Sequence, residues 1–364
     1  MRTRSIRLAG AALVAGLGIA SLAACGNSDS GSGSSSSSSS GGGGGAKKIA
    51  LLLPESKTTR YETFDRPLFE AAVKKDCADC TIIYSNADQD PAKQQQQAEA
   101  ALTQGANVLV LDPVDGKAAA GVVASAKGQG VPVVAYDRFI AGADYYVSFD
   151  NEKVGGLEGQ SILDGLAAAG KDPATAKVVY VGGDPTDGNA AFFHDGADAV
   201  MSAAGIVPVF ETPGTWDGAK AGTEFEQAYT QLNGDIDAVW AANDTNAAAV
   251  IAVLDKNNVT LPVSGQDASI AGLQNVLLGK QTATVYKPFS LEAEAASDLA
   301  IKILKGEDVG TIDKELEDGT PYIAVVPVLV GPDDVQSVVD AGDASAADIC
   351  TDAVAAACEE HGVG

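Results

Sequence analysis

An acid and a base stand side by side at Asp137-Arg138, directly after the apolar run Val131-Pro-Val-Val-Ala135 and Tyr136. A short β-branched run reads as a strand buried on both faces. The pair therefore projects from the carboxyl end of a strand, the edge at which open α/β sheets bind ligands. The carboxylate accepts hydrogen bonds and the guanidinium donates them in a planar fork. Together they can grip neighbouring hydroxyls, or they can simply close the loop as a salt bridge. The other apolar runs end in residues of the same kind: Arg60 and Tyr61, Asp187 and Asn189, Trp216, Asn243 and Asp244, Asp267, and Lys287. Charged and amide heads are mixed with two aromatics in a chain that is only 5% aromatic. That mixture suits a carbohydrate, whose hydroxyls both donate and accept and whose C–H face stacks on an aromatic ring. Trp216, in the turn-like Gly214-Thr-Trp-Asp-Gly218, fits a ligand contact better than a core role. Trp240 lies inside a strand and reads as core, and a structural ion pair is the rival role for Lys287.

The elements that must carry these residues alternate. Strands are expected at 49–53, 81–84, 108–111, 131–135 and 145–149, with helices at 66–75, 91–104 and 117–128 between the earlier ones. A second series follows, with strands at 177–181, 207–211, 238–242, 263–264, 282–286 and 323–329. Its helices fall at 154–168, 190–204, 224–232, 246–257 and 291–304. Strands alternating with helices imply parallel sheets with right-handed crossovers. Two such series imply two doubly wound lobes, whose facing strand ends would line the cleft between them. Gly182-Gly183 lacks the spacing of a dinucleotide fingerprint.

The ends and the composition narrow the class. Residues 1–24 combine Arg2, Arg4 and Arg7 with the apolar stretch 8–20, too short for a comfortable membrane span, and read as an export signal. Leu22-Ala-Ala-Cys25 follows, and then Ser and Gly almost without interruption to Gly45. Residues 25–46 should be a flexible tether, with a reach of roughly 25 Å over twenty residues. The remaining chain exceeds a typical single core and suggests two domains. The formal charge of −25 becomes about −28 once the three leader arginines are removed, which argues against a nucleic-acid partner. Four cysteines remain besides Cys25. Outside the cytoplasm Cys77 and Cys80 can close across a turn, and Cys350 and Cys358 can bridge only if a helix breaks between them. Eight residues of straight helix span about 12 Å, against a disulfide limit near 7 Å. A zinc site made by all four is the rival, and neither His194 nor His361 is spaced to help.

Tyr136-Asp-Arg138, Ser148-Phe-Asp-Asn-Glu-Lys-Val-Gly155, Gly182-Gly-Asp-Pro-Thr-Asp-Gly-Asn-Ala190, Ser264-Gly-Gln-Asp267 and Val285-Tyr-Lys-Pro288 together resemble the sugar-binding proteins of bacterial ABC importers. The resemblance covers roughly residues 48–330, and the xylose and multiple-sugar branches are the nearest. It implies a type I periplasmic-binding fold: α/β, with two doubly wound lobes joined by three hinge crossovers near 149–153, 286–288 and 321–325. The lobes would be 47–151 with 287–322, and 152–286 with 323–364. By resemblance Arg60, Tyr61, Asp137 and Arg138 bind a monosaccharide, D-xylose first, from one lobe. Asp187, Asn189, Trp216, Asn243 and Asp267 bind from the other, and Lys287 sits near a crossover. Tyr61 stands where the xylose proteins commonly carry a tryptophan, Gly188 stands where an asparagine is typical, and the tail from Ser345 falls outside the resemblance. Cys25 resembles the lipidated cysteine of bacterial lipoproteins. The expected protein is thus a monomeric lipoprotein on the outer face of the cell membrane, with a membrane permease as partner and with no cofactor, metal or enzymatic activity.

Alternatives in the same class are another pentose or hexose, or a sugar receptor for signalling. A secreted glycosidase would need a carboxylate pair about 5–9.5 Å apart. Asp137 and Asp267 are a candidate pair, but the neighbouring Arg138 and Lys287 would keep them ionised, which suits binding better than acid catalysis. A sugar-responsive regulator shares the two-lobed core but needs a helix-turn-helix where this chain carries its leader and tether.

Overall fold

The structure is a computed structural model that describes residues 47–364 apart from 313 and 317. The leader, Cys25 and the Ser/Gly tether lie outside the described residues. The chain begins with β1 (Lys47–Leu53), α1 (Arg66–Asp76), β2 (Cys80–Asn86), α2 (Pro91–Thr103), β3 (Val108–Leu111), α3 (Gly116–Gly128), β4 (Val133–Tyr136) and β5 (Tyr145–Phe149). It continues through α4 (Asn151–Ala168), β6 (Val178–Val181), α5 (Gly188–Ala203), β7 (Phe210–Glu211), α6 (Gly218–Gln231), β8 (Ala238–Ala241), α7 (Asp244–Lys256), α8 (Ile270–Leu277) and β9 (Thr284–Tyr286). The last elements are α9 (Phe289–Lys305), β10 (Lys314–Glu315), β11 (Pro321–Val325), β12 (Val328–Val330), α10 (Val335–Ala341), α11 (Ala346–Ile349) and α12 (Ala355–His361).

The first lobe is built on a sheet of order β10-β11-β5-β4-β3-β1-β2, parallel except for the edge strand β10. β1, β3 and β4 are apolar and almost wholly buried, as strands covered by helices on both faces must be. The second lobe carries β7-β6-β8, all parallel. Val263 bridges to β8, and Gln266 bridges to β9, which pairs antiparallel with β12. The chain passes between lobes three times: after β5, after β9 and after β11. This is the type I periplasmic-binding topology. Aspartate or asparagine side chains cap the N-termini of α2, α3, α4, α5, α6 and α7, so the turns into these six helices carry hydrogen-bond acceptors.

Several boundaries differ from the sequence reading. The run 323–329 is two strands, because Val326-Pro327 interrupts it and a proline cannot donate to a ladder. β11 stays paired with β5 through Val325, so the third crossing follows Val325, and a lobe boundary at 322/323 falls inside a strand. The run 207–211 contracts to β7, and Val207 is 76% exposed, consistent with Pro208 interrupting the edge. The run 263–264 is a single bridge. α8 and the three C-terminal helices were not foreseen. They bury one another in a separate small core containing Leu273, Val276, Val335, Val338, Ile349 and Cys358. Sulfurs are joined at Cys77–Cys80 and Cys350–Cys358, with α-carbons 5.3 and 5.9 Å apart. The second bridge spans the break between α11 and α12, so the four cysteines form two local pairs rather than one cluster. Among the described residues no helix is long and apolar enough to cross a membrane.

Candidate functional site

Arg60 leaves the end of β1 at the start of the turn into α1, and its guanidinium is buried among three carboxylates. It donates to Asp65 at 2.6 and 3.0 Å, to Asp137 at 2.9 Å and to Glu292 at 2.9 Å, and it stacks over the Phe289 ring at 4.3 Å. Tyr136 also donates to Asp65, at 2.6 Å. A lone buried guanidinium would be costly, and three acceptors offset that cost.

Asp137 ends β4 with φ of 56°, a left-handed conformation that only a few non-glycine residues tolerate. Its own carbonyl holds that turn by accepting from Tyr146 and Asn189, both at 3.0 Å. Burial pushes the Asp137 carboxyl up, but Arg60, Lys287 and Arg138 outweigh burial and hold it below the ordinary value. Asp137 is therefore a fixed acceptor. Arg138 donates to the Pro113 carbonyl at 3.1 Å and to the Tyr61 hydroxyl at 3.0 Å, and Tyr61 in turn donates to Asp137 at 3.1 Å. Arg138 Nε lies 2.9 Å from Asp187 of the second lobe, an ion pair whose N–H is not aligned on the oxygen.

The second wall is made where α5 and α7 begin. Asp187 caps α5 through Asn189 N at 2.9 Å, and its other oxygen accepts from Trp216 Nε1 at 3.0 Å. Burial raises its carboxyl pKa, and Arg138 opposes the rise. Asn189 accepts from Asn151 at 3.0 Å while donating to Asp137, so its amide helps to draw the lobes together. Trp216 packs edge-on against Phe193, with centroids 6.3 Å apart. Asn243 caps α7 through Asn246 N at 2.9 Å. Asp267, at φ of 97°, pairs with Lys287 at 2.9 Å. The Lys287 ammonium sits within 5.2–5.9 Å of the Phe149, Phe193 and Phe289 rings, a cation–π enclosure.

All ten sequence-derived residues, Arg60, Tyr61, Asp137, Arg138, Asp187, Asn189, Trp216, Asn243, Asp267 and Lys287, line one cavity between the lobes. It holds about 260 Å³ of empty space, mouth included. The ion-pair role weighed for Lys287 is real, and the pair lies in the cavity wall. Trp240 is fully buried and donates to Glu158 at 3.0 Å, which makes it a core residue. The cavity also includes Thr58, Phe193 and Gln266, which sequence reasoning missed. Phe193 lies one helical turn beyond Asn189 and shares its face, a signal that was available. Behind the wall stand Asp65, Glu292 and Asp112, also missed. Glu292 interrupts the buried face of α9 made by Phe289, Ala293 and Ala296, but nothing local shows that its partner is Arg60. The arrangement accepts and donates many hydrogen bonds at fixed positions, as polyol recognition requires.

Residues 49–308 match the periplasmic binding protein domain. The chain is 32% identical over 304 residues to the D-xylose-binding periplasmic protein of Escherichia coli, covering 80% of this chain and 89% of that one. It is 31% identical to a multiple sugar-binding periplasmic receptor of Rhizobium radiobacter, covering 70% and 79%. A carbohydrate transporter solute-binding protein of Chloroflexus aurantiacus, solved with D-glucose, superposes with a TM-score of 0.73 at 26% identity, covering 83% of this chain and 98% of that one. These relatives are solute-binding proteins rather than enzymes. The chain belongs to the periplasmic binding protein family of type I fold, the sugar-binding components of bacterial ABC importers.

Proposed function

We propose that this chain captures one monosaccharide between its lobes, D-xylose before other sugars, and presents it to the permease of an ABC importer. The observation that carries the reading is a cavity to which both lobes contribute charged and amide heads together with the Trp216 and Phe193 rings. In this reading the ten lining residues named above are the ligand contacts, and Asp137 and Asp267 serve as acceptors. Xylose comes first because relatives of that name in Escherichia coli and Haemophilus influenzae each match at 32% identity. A hexose is the second reading, favoured by the glucose-bound relative and by Tyr61, smaller than tryptophan and bearing a hydroxyl. The moving bodies would be 47–151 with 287–325 against 152–286 with 326–364. Cys25 would carry the lipid and 25–46 the tether, holding a monomer at the outer face of the cell membrane.

Calorimetry and thermal melting over a panel of pentoses and hexoses test the reading. Saturation at 1,000 times Kd adds about 4 kcal/mol to folded-state stability, several degrees in Tm for a protein of this size. One site per chain and a clear shift with D-xylose are expected. No binding of any monosaccharide refutes the proposal, and tighter binding of a hexose refutes the xylose assignment alone.

A further inference from the structure

Gln266 lines the cavity beside Asn243, Asp267 and Lys287, yet its side-chain oxygen takes no part in the contacts that close it. The residue is 1% exposed. Its Nε2 donates to the Ala242 carbonyl at 2.7 Å, while Oε1 has no hydrogen-bond partner. The amide cannot simply turn over, because that would set Oε1 against the oxygen of Ala242. The backbone is fixed as well. Asp244 N donates to the Gln266 carbonyl at 3.0 Å, and the flanking Gly265 and Asp267 each bond to Val285 at 2.9 Å. The result is a rigid, neutral acceptor without a partner on a residue of the cavity wall. Asp267 Oδ1 also lacks an aligned hydrogen bond, but it is charge-paired with Lys287 at 2.9 Å, and the Asn243 oxygen caps α7, so Gln266 Oε1 is left with neither a donor nor a cation. Buried acceptors almost always have a donor, so an open one in a cavity wall marks where a ligand donor belongs.

We infer that Gln266 is a specificity-determining residue: its Oε1 accepts a hydrogen bond from one hydroxyl of the bound sugar and selects against ligands that lack a donor there. The inference rests on the monosaccharide reading above. A site built to bond a hydroxyl rejects the analogue without it, because the protein acceptor is then left unpaired. The same oxygen also disfavours a carboxylate or phosphate at that position, since oxygen would face oxygen.

The test is a coupling cycle by calorimetry. D-xylose and D-glucose are titrated into wild type, and the tighter of the two is then compared with its deoxy analogues, one for each hydroxyl, in wild type and in Gln266→Met. The variant should bind the parent sugar roughly tenfold more weakly, as loss of one such hydrogen bond implies. For one deoxy analogue it should bind as tightly as wild type does, because the lost bond was already absent. If the methionine variant does not fold, Gln266→Leu, which likewise lacks the acceptor, is titrated against the same analogues with the same expectation. Equal losses for every analogue, or an unchanged parent affinity, overturns the inference while leaving the monosaccharide reading intact. A wild type that binds neither sugar defeats that reading, and the inference with it.

Discussion

Trp216→Ala separates a ligand wall from a core residue. In the structure Trp216 is 5% exposed and held on several sides. Its Nε1 donates to Asp187 at 3.0 Å, its edge meets Phe193, and it lies over Gly183, where a Cβ would come within 2.1 Å of the ring. The ring is thus presented to the cavity at no further ordering cost. Loss of a stacked, desolvated aromatic contact is worth about 1–3 kcal/mol, or roughly 5- to 150-fold in Kd. Trp216→Phe keeps a ring but removes the donor to Asp187, and should lose about 1 kcal/mol, the scale of one hydrogen bond. Removing so large a buried side chain also destabilises the lobe, by about 3–5 kcal/mol, so affinities belong to temperatures at which melting curves show each variant folded. Fluorescence gives an independent readout. The chain has two tryptophans, and Trp240 is buried away from the cavity, so a sugar-induced emission change should vanish in Trp216→Phe. Unchanged affinity in a folded Trp216→Ala, or a persisting emission change in Trp216→Phe, would refute the placement of this ring against the ligand.

Asp244 is fully buried, and burial pushes its carboxyl up to about 7. A carboxyl raised above its unfolded value favours the folded state below the unfolded pKa and loses that contribution as pH rises through the folded one. Burial also raises Asp112, Glu158 and Glu292, so Tm should fall between pH 5 and pH 8; a Tm that rises over that window contradicts this. Gly155→Ala would place a Cβ 2.0 Å from the Phe193 carbonyl where α4 crosses α5. It should cost about 1–3 kcal/mol and weaken sugar binding through displaced Phe193 and Asn189, as denaturation and titration would record. Replacing Cys350 and Cys358 by serine opens a short loop and should cost about 2–3 kcal/mol in the small C-terminal core. Sugar affinity measured alongside should stay unchanged, since that core contributes no residue to the cavity.

The two-lobed fold was legible because its strands are short apolar runs that need partners on both faces. The failures came where periodicity carries no information. Val326-Pro327 splits an apolar run between two sheets, and Ile270–Leu277 is a helix only one turn longer than a buried strand. The cavity residues were legible because strand ends in parallel sheets share one edge, so polar residues there converge. Gln266 carries no such signal although it stands inside Ser264-Gly-Gln-Asp267, because an amide is an ordinary loop residue until its geometry shows an unpartnered acceptor. Asp65, Glu292 and Asp112 were beyond reach. They matter only as partners of Arg60 and Arg138, and no spacing encodes a contact across 232 residues such as Arg60 to Glu292.

That buried layer explains why two arginines in one cavity behave differently. All three carboxylates on Arg60 lie on the first-lobe side, on the α1 turn, β4 and α9, so its charge is matched whether or not the lobes meet. Arg138 is divided between the lobes, with Tyr61 and Pro113 on one side and Asp187 on the other. Separating the lobes would remove its nearest carboxylate, and a buried guanidinium without one is costly. Asp112 answers this. It is fully buried, lies 3.5 Å from Arg138 Nε, and has neither oxygen hydrogen-bonded. Burial raises its carboxyl well above the ordinary range, and Arg138 is the first charge opposing that rise. Arg138 thus keeps Asp112 at 3.5 Å and Asp137 at 4.0 Å within its own lobe, so separation of the lobes would not strand a cation. Under the proposed function, a sugar entering between Arg138 and Asp187 would break an ion pair whose cation retains carboxyl partners in its own lobe, and this would keep the cost of admitting it low.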